Sequence, residues 1–138
     1  MSSDWISRIP LVVNTKIKSE FSDVIKIKYN MNDVDNFSME DSSATPPVFP
    51  FVYINILPGS EIGQDLEGTS INGGIFAFQI DVYDNKSASR AREVMSEAIR
   101  IMKLMHFSCN QFPVPSTSGG VHRSTARFKR TIGANDIL

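Results

Sequence analysis

The sequence predicts a single α+β domain spanning residues 1–138, with a mainly antiparallel sheet packed on one long amphipathic helix and a short N-terminal helix. Two patterns carry this prediction. Residues 75–83 alternate between apolar even positions and mixed odd positions, which is typical of a strand covered on one face. Residues 88–105 place apolar side chains on one helical stripe and charged side chains on the opposite arc. A chain of 138 residues, 41% of them hydrophobic, has room for one such core.

The helix that follows the alternating strand is expected to begin at Ala88. Residues 84–87 supply turn formers and Ser87, whose hydroxyl can accept from the free N–H groups of a first helical turn. Each fully buried Val, Ile or Met on the stripe contributes roughly 1.5–3 kcal/mol, so docking this face on the sheet provides on the order of 10 kcal/mol before entropy. The apolar stripe consists of Ala88, Ala91, Val94, Met95, Ala98, Ile99, Ile101, Met102 and Met105.

The N-terminal third carries weaker patterns. Apolar residues at positions 9, 13, 17 and 21 predict a short helix over about residues 10–21, with Pro10 in its first turn. Residues 24–29 alternate apolar side chains with two lysines, which predicts a short edge strand. Residues 30–47 are acidic, serine-rich and aperiodic, and they predict a loop that becomes ordered against a neighbouring molecule.

A second strand is predicted over residues 51–57, ended by Pro58 and Gly59 and antiparallel to the strand at 75–83. Between these strands, residues 60–74 contain four glycines and three acids, which predicts a long hairpin loop in contact with another protein.

After the helix, residues 107–112 predict a weak strand ended by Pro113 and Pro115, and residues 116–120 a turn. Residues 121–132 predict a final strand. Its alternation places Arg123, Arg127 and Lys129 together on one face.

Residues suited to catalysis or metal binding are present but scattered, so we expect no enzyme activity, no cofactor and no metal. Asp81 and Asp84, and Glu93 and Glu97, are pairs that could hold a metal, but the glutamates are predicted to lie on an exposed helix face. His106 and His122 fall in different elements, and the single cysteine, Cys109, is more typical of a small buried side chain. The glycine turns lack the sequence of a phosphate-binding loop.

The net charge of −1 argues against a bulk nucleic-acid binder, although the charge is unevenly distributed. From Arg100 onward there are six Lys and Arg and a single acid, whereas residues 31–46 contain four acids and no base. The basic strand at 121–132 is the best nucleic-acid candidate, but its single aromatic residue is a poor stacking platform. No apolar run approaches the roughly 20 residues of a membrane span, and the first residues lack the basic start of a signal peptide. We therefore expect a soluble protein made in a cytoplasm.

Three segments together resemble the tail terminator family of long-tailed bacteriophages and, more loosely, the related tail-completion or neck proteins. They are the strand Phe51-Val52-Tyr53-Ile54-Asn55-Ile56 with its preceding prolines, the run Phe78-Gln79-Ile80-Asp81-Val82-Tyr83-Asp84-Asn85 that leads into the helix, and the run Ser124-Thr125-Ala126-Arg127-Phe128-Lys129. The resemblance covers about residues 48–133, and the acidic segment 31–46 has no counterpart in it.

The resemblance implies an α+β virion protein, assembled in the host cytoplasm, that forms a ring, commonly a hexamer, at the head-proximal end of the tail tube. Its implied partners are other copies of itself, the tail tube protein and the head connector or neck proteins, with DNA passing through the ring. It implies neither a membrane nor specific nucleic-acid binding. The alternatives are a tail-completion or neck subunit and a small nucleic-acid-binding protein.

A ring of one subunit needs two different surfaces on each copy that fit each other. The acidic front and basic back of this chain are the candidate surfaces. The residues predicted to form them are Asp33, Asp35, Glu40, Asp41, Glu61, Asp65, Glu67, Arg123, Arg127 and Lys129.

Overall fold

A computed structural model describes residues 4–39, 48–64, 71–133, 136 and 138. These residues form three helices and five strands, an α+β domain as predicted. In chain order they are α1 (Asp4–Glu20), α2 (Asp23–Tyr29), β1 (Phe37–Ser38), β2 (Phe51–Gln64), β3 (Ile71–Asp84), α3 (Ala88–Leu104), β4 (Ser108–Ser118) and β5 (Val121–Gly133).

The five strands form one mixed sheet in the order β1-β2-β3-β5-β4. Only β1 pairs in parallel with its neighbour, and the other three pairings are antiparallel. Because β1 pairs only with Val52 and Tyr53, the outer edge of β2 beyond Tyr53 has no partner strand in the described ranges. Within the described residues the sheet therefore has two edges without a partner strand, β4 on one side and the later part of β2 on the other.

One side of the sheet and the three helices enclose the hydrophobic core. Phe78 and Ile80 of β3 lie opposite Phe128 and Ala126 of β5, and all four side chains are fully buried. The apolar stripe of α3 belongs to the same buried cluster. Its buried members are Ala91, Val94, Met95, Ala98, Ile101 and Met102, followed by Met105 just beyond the helix. The Ser87 hydroxyl accepts a 3.1 Å hydrogen bond from the Arg90 N–H, which begins α3 at the predicted residue.

Helix α1 begins at Asp4, six residues before the predicted start, so Pro10 lies in its interior and not in its first turn. The four-residue spacing of buried side chains extends back from Ile9 to Trp5, whose ring packs 5.7 Å from that of Phe76. Proline has no N–H and removes one helical hydrogen bond. The added burial of Trp5 offsets this loss.

Residues 24–29 form helix α2, so the predicted edge strand is wrong. Ile25 and Tyr29 pack against the core, but Ile27 is 81% exposed, as expected for a helix and not for a strand in which all three share a face. The spacing of Ile25 and Tyr29 fits both a helix and a strand, so only the exposure of Ile27 distinguishes the two. Asn30, with φ 55° and ψ 48°, ends the helix in the left-handed conformation.

The hairpin of β2 and β3 is longer than predicted, because residues 60–64 and 71–74 are strand and not loop. Pro58 does not end β2. Between Leu57 and Ser60 the register shifts by one residue, and such a bulge accommodates a proline that cannot donate to the ladder. Gly59 is required there, because a Cβ atom would lie 2.4 Å from the backbone oxygen of Ile75.

Strand β4 also continues beyond its predicted end, through Pro113 and Pro115 to Ser118. Prolines are tolerated because β4 is an edge strand with two register irregularities against β5. The predicted turn at 116–120 is reduced to Gly119 and Gly120, whose φ values of 58° and 79° suit a two-residue hairpin turn.

The described part of the segment predicted as an acidic loop contains the short strand β1 and one buried polar residue, Asn36. The Asn36 side-chain amide donates to the backbone oxygens of Val48, at 3.3 Å, and Pro50, at 2.8 Å. Its side-chain oxygen accepts from the Asn32 N–H at 2.8 Å. Asn36 thus joins the two described ends of this segment. Residues 40–47 lie outside the described residues.

Candidate assembly surface

The face of the sheet opposite α3, called here the open face, is polar. Successive residues of a strand point to opposite faces, so the positions between the buried Phe78, Ile80 and Phe128 lie on this other side. The register places them in rows across β2, β3 and β5, such as Tyr53, Asp81 and Thr125 in one row. The side chains of the open face include Tyr53, Asn55, Gln79, Asp81, Tyr83, Arg123, Thr125, Arg127 and Lys129.

Asp81 is the centre of this surface, and it is only 1% exposed. Its Oδ1 accepts from Arg123 Nε at 3.1 Å, from Arg123 Nη2 at 2.9 Å and from the Thr125 hydroxyl. Its Oδ2 accepts from Gln79 Nε2 at 3.1 Å. Both oxygens are therefore engaged, as a buried carboxylate requires.

Arg123 is therefore engaged in contacts within its own chain. Its guanidinium also lies 5.5 Å from the centre of the Tyr83 ring. Burial acts to lower the pKa of Arg123, but the hydrogen bonds and negative charge of Asp81 outweigh it and the pKa is raised. Of the three bases predicted to face a neighbour, Arg123 is thus neutralised inside the subunit.

Arg127 and Lys129 are both exposed and differ from Arg123 in having no acidic partner among the described residues. Arg127 donates from Nε to the neutral Gln79 Oε1 at 3.0 Å. Lys129 lies between Ala77 of β3 and Ser108 of β4. Within the described residues, the charges of Arg127 and Lys129 are therefore not neutralised by an acid.

The described acids of the predicted interface lie at the opposite side of the sheet, just before β1. Asp33 is exposed and forms a 2.9 Å ion pair with Lys26. Asp35 is exposed and accepts from the side-chain amide of Asn32 at 3.0 Å. Glu40, Asp41, Asp65 and Glu67 lie outside the described residues, as does the side chain of Glu61 in β2.

The described acids of the predicted interface, Asp33 and Asp35, do not meet Arg127 and Lys129 within one chain. Strands β1 and β5 are separated by β2 and β3, which is three strand spacings, or about 14 Å. Asp33 and Asp35 precede β1, whereas Arg127 and Lys129 belong to β5. The subunit thus carries a base-bearing side near β4 and an acid-bearing side near β1.

Glu93 and Glu97 do not lie on a simple exposed face, so that prediction is wrong. Glu97 is only 8% exposed, and its carboxylate accepts from the Ser22 N–H at 2.8 Å and from Arg100 Nε at 2.9 Å. Glu93 accepts from the Tyr29 hydroxyl and lies 3.3 Å from Lys28 Nζ. Packing of α1 and α2 beside α3 covers this part of the helix, which the amphipathic pattern of α3 alone does not reveal.

The Glu97 carboxylate is expected to stabilise the fold in a pH-dependent way. The hydrogen bond from Arg100 lowers its pKa despite the opposing effect of burial, with help from the Ser22 N–H. A carboxylate whose pKa is lowered by folding stabilises the folded state fully at pH values above its unfolded-state pKa of about 4.3. This contribution is lost as the pH falls through the pKa of the folded state. Glu97→Gln should therefore cost about 1–3 kcal/mol of unfolding free energy at pH 7 and progressively less below about pH 4.3.

Urea unfolding of Glu97→Gln and the unaltered protein at pH 7 and pH 3 measures this difference. The matched control is Asp23→Asn, because Asp23 is an exposed acid in the first turn of α2. A cost for Glu97→Gln that is equal at the two pH values would contradict the role of the charged carboxylate.

Asp81 and Asp84 do not form a metal-binding pair. Asp84 is buried on the core side of the sheet, where its Oδ2 accepts from the backbone N–H groups of Lys86 and Ser87, and Arg90 Nη2 lies 3.2 Å from its Oδ1. Asp81, on the open face, is engaged as described above. No three His, Cys, Asp or Glu side chains come together as metal ligands within the described ranges.

The remaining reactive side chains have structural surroundings. His106 adopts a φ of 65° just after α3, and its backbone N–H donates to the Lys103 backbone oxygen at 2.9 Å. His122 lies opposite Thr117 in the hairpin, with its Nδ1 3.1 Å from the Thr117 hydroxyl. Cys109 is half-buried and its thiol donates to the backbone oxygen of Gln111 at 3.2 Å. Of these contacts, the one between His122 and Thr117 pairs an imidazole with a hydroxyl, and it lies exposed in the hairpin of β4 and β5.

The sequence did not identify Asp81 as the centre of the open face. An acid at an outward strand position is unremarkable by itself, and its importance comes from the β3–β5 register that places it beside Thr125 and diagonal to Arg123. An available signal was the matched alternation of the two strands, in which Asp81 and Arg123 both occupy outward positions.

No model of a known protein family matches the chain, and no curated protein matches it in sequence. None of the helices in the described ranges is both long and apolar enough to cross a membrane.

Proposed function

We propose that this protein is a structural subunit of a bacteriophage virion, a tail terminator that forms a ring at the head-proximal end of the tail tube. There it stops tube polymerisation and presents a surface to the head connector or neck proteins. The ring, which in this family is commonly a hexamer, is built from copies of this chain in the host cytoplasm and leaves room for DNA to pass. The role involves no reaction, cofactor or metal.

The observation that carries the proposal is the separation of exposed basic and acidic side chains across the sheet. Arg127 and Lys129 have no acidic partner among the described residues, whereas Asp33 and Asp35 lie exposed before β1, on the far side of β2 and β3. Two unlike surfaces on one subunit fit a head-to-tail contact, and such a contact closes into a ring when the rotation between copies allows it. Complementary charge then steers association and fixes orientation more than it adds affinity.

A tail-completion or neck subunit remains the alternative, and it would use the same head-to-tail contact. The two roles differ in the partner bound along the axis of the ring. A small nucleic-acid-binding protein fits the open face less well. Arg123 is already paired with Asp81, which leaves only Arg127 and Lys129 as unpaired cations on this face within the described residues. Two such charges release few counterions on binding DNA.

Controlled polymerisation of the tail tube tests the proposal. Purified tube protein of the same phage is assembled with and without this chain, and tube lengths and ends are imaged by electron microscopy. We expect the chain to stop elongation and to occupy one end of each tube as a ring. Unrestricted tube growth with rings bound instead to connector complexes would favour the neck alternative. The absence of rings from both would contradict the proposal.

A further inference from the structure

A polar pocket lies where β4 begins beside β5, next to the turn that follows α3. Strand β4 begins at Ser108, opposite Lys129, so residues 130–133 of β5 have no partner strand on the β4 side within the described residues. The pocket has a volume of about 430 Å³, which falls within the roughly 300–1,000 Å³ of small-molecule sites. It is called here the β5 pocket, and the residues that line it are Ile75, His106, Ser108, Lys129, Arg130 and Thr131.

The lining of the β5 pocket is rich in groups that can donate to an anion. Five of its six residues have a hydroxyl, imidazole, ammonium or guanidinium group, and only Ile75 is apolar. The side chains of Ser108, Lys129 and Thr131 are exposed, and none of them bonds to a partner within the described residues. Most of the donors of the pocket are therefore not used by the chain itself.

Arg130 is held in place at the wall of the β5 pocket and is only partly neutralised. Its Nη1 donates to the backbone oxygen of Met105 at 3.0 Å, which offsets the negative end of the α3 dipole at this point. The nearest described acid is Asp136, whose Oδ2 lies 3.7 Å from Arg130 Nη2, too far for a hydrogen bond. The same Oδ2 accepts from the Gly133 N–H at 2.7 Å. Arg130 thus keeps positive charge for a further anion.

His106 lines the β5 pocket from a backbone conformation that favours glycine. Its φ is 65°, and the backbone around it forms the bonds that commonly end a helix. The His106 N–H donates to the Lys103 oxygen at 2.9 Å, and the Phe107 N–H donates to the Met102 oxygen at 3.0 Å. Glycine adopts this conformation without strain, whereas a histidine does not. A strained residue that lines a pocket points to a use for its side chain other than folding.

We propose that the β5 pocket binds the phosphate group of a small organic phosphate monoester. Such a group has three terminal oxygens and a charge of about −1.5 to −2 at neutral pH. It therefore matches two permanent cations, Lys129 and Arg130, together with two hydroxyls and an imidazole, better than a carboxylate with two oxygens and one charge does.

The size and the apolar wall of the β5 pocket favour a monoester over free phosphate. A phosphate group fills only part of a volume of about 430 Å³, and Ile75 can contact the organic group attached to it. A DNA backbone fits less well, because each of its phosphodiesters has two terminal oxygens and a single charge. The proposed site does not depend on ring formation. Lys129 also belongs to the candidate assembly surface, so the variants below are made elsewhere.

Nuclear magnetic resonance titration of the isotope-labelled protein tests the site with two probes that share one ring, phenyl phosphate and benzoate. We expect saturable shifts at the backbone amides of residues 106, 108 and 129–131 and an affinity for phenyl phosphate about tenfold higher than for benzoate. Equal affinities for the two probes, or no saturable shift at these amides, would overturn the inference. A single-stranded oligonucleotide without terminal phosphates that shifts the same amides at lower concentrations would overturn it in favour of the DNA backbone.

Replacing His106 by glycine separates binding from folding. His106→Gly should weaken the affinity for phenyl phosphate about fivefold, because one donor is lost, and should raise the melting temperature, because the strain at this position is removed. An unchanged affinity in this variant would overturn the inference.

Two further variants test the charges around the β5 pocket. Asp136→Asn should tighten the binding of phenyl phosphate, because it removes the acid beside Arg130. Lys103→Gln is the matched control, since Lys103 is exposed in the last turn of α3 and does not line the pocket. Its affinity should change by less than about twofold. A loss of affinity in Lys103→Gln as large as that in His106→Gly would show a general effect of charge and contradict a built site.

Discussion

Replacing Ala98 by aspartate is expected to prevent the domain from folding. Ala98 is completely buried in the middle of α3, within the cluster that contains Phe78 and Ile80. An uncompensated buried charge costs several kcal/mol, and the net stability of a small domain is about 5–15 kcal/mol. The expected result is loss of the cooperative thermal transition in circular dichroism and accumulation of the protein in the insoluble fraction.

Ser96→Asp is the matched control, because Ser96 is exposed on the same helix two residues away. It introduces the same charge without burying it, and it should change the melting temperature by only a few degrees. A soluble Ala98→Asp protein that melts cooperatively near the normal temperature would contradict the packing of α3 against the sheet.

The central strand and helix were predictable because their patterns are long and consistent. In β3 the alternation extends over several two-residue repeats, and in α3 the apolar stripe extends over more than four helical turns. Ser87 then marks the boundary between them through its own chemistry. Each local preference agrees with the packing, so the sequence alone identifies these elements.

The N-terminal elements were harder because short patterns are ambiguous. Six residues with apolar side chains at every second position fit a strand. The four-residue spacing of Ile25 and Tyr29 fits slightly more than one helical turn equally well. Pro10 suggested a helix start, but burial of Trp5 extends α1 beyond it. In both places tertiary packing decides between local alternatives, and that packing is not visible in a short window of sequence.

Strand ends were misplaced where proline and glycine occur inside strands. Pro58 with Gly59, and Pro113 with Pro115, predict strand ends, whereas in the structure each pair lies at a bulge or on an edge strand. The candidate surface was predictable only as a set of alternating bases. That Asp81 binds Arg123 and leaves Arg127 free depends on the register of β3 with β5, which neither strand specifies alone.

Reversing the charge of Arg127 is expected to have the largest effect on assembly. Arg127 is exposed and its described partner is the neutral Gln79, so Arg127→Glu should leave the monomer folded with an unchanged melting temperature. At the contact between copies this change replaces an attraction by a repulsion, which weakens binding between copies by about 2–3 kcal/mol. This corresponds to about a hundredfold increase in the concentration needed for ring formation, measured by sedimentation velocity.

Two companion variants make this result specific. Asp35→Lys in the same chain should restore part of the assembly, because it returns opposite charges to the two sides of the contact. Arg92→Glu, at an exposed position of α3 away from the open face, should assemble normally. If Arg127→Glu assembled normally and instead lost a salt-dependent affinity for DNA, the interface assignment would fail and the nucleic-acid alternative would replace it.

Electron microscopy of the purified protein with and without tail tubes tests the central claim most directly. The proposal predicts closed rings of this chain, each at one end of a tube, in which the base-bearing side of every copy faces the acid-bearing side of the next. Tubes whose two ends both lack the protein, with the protein remaining monomeric in the same images, would contradict it.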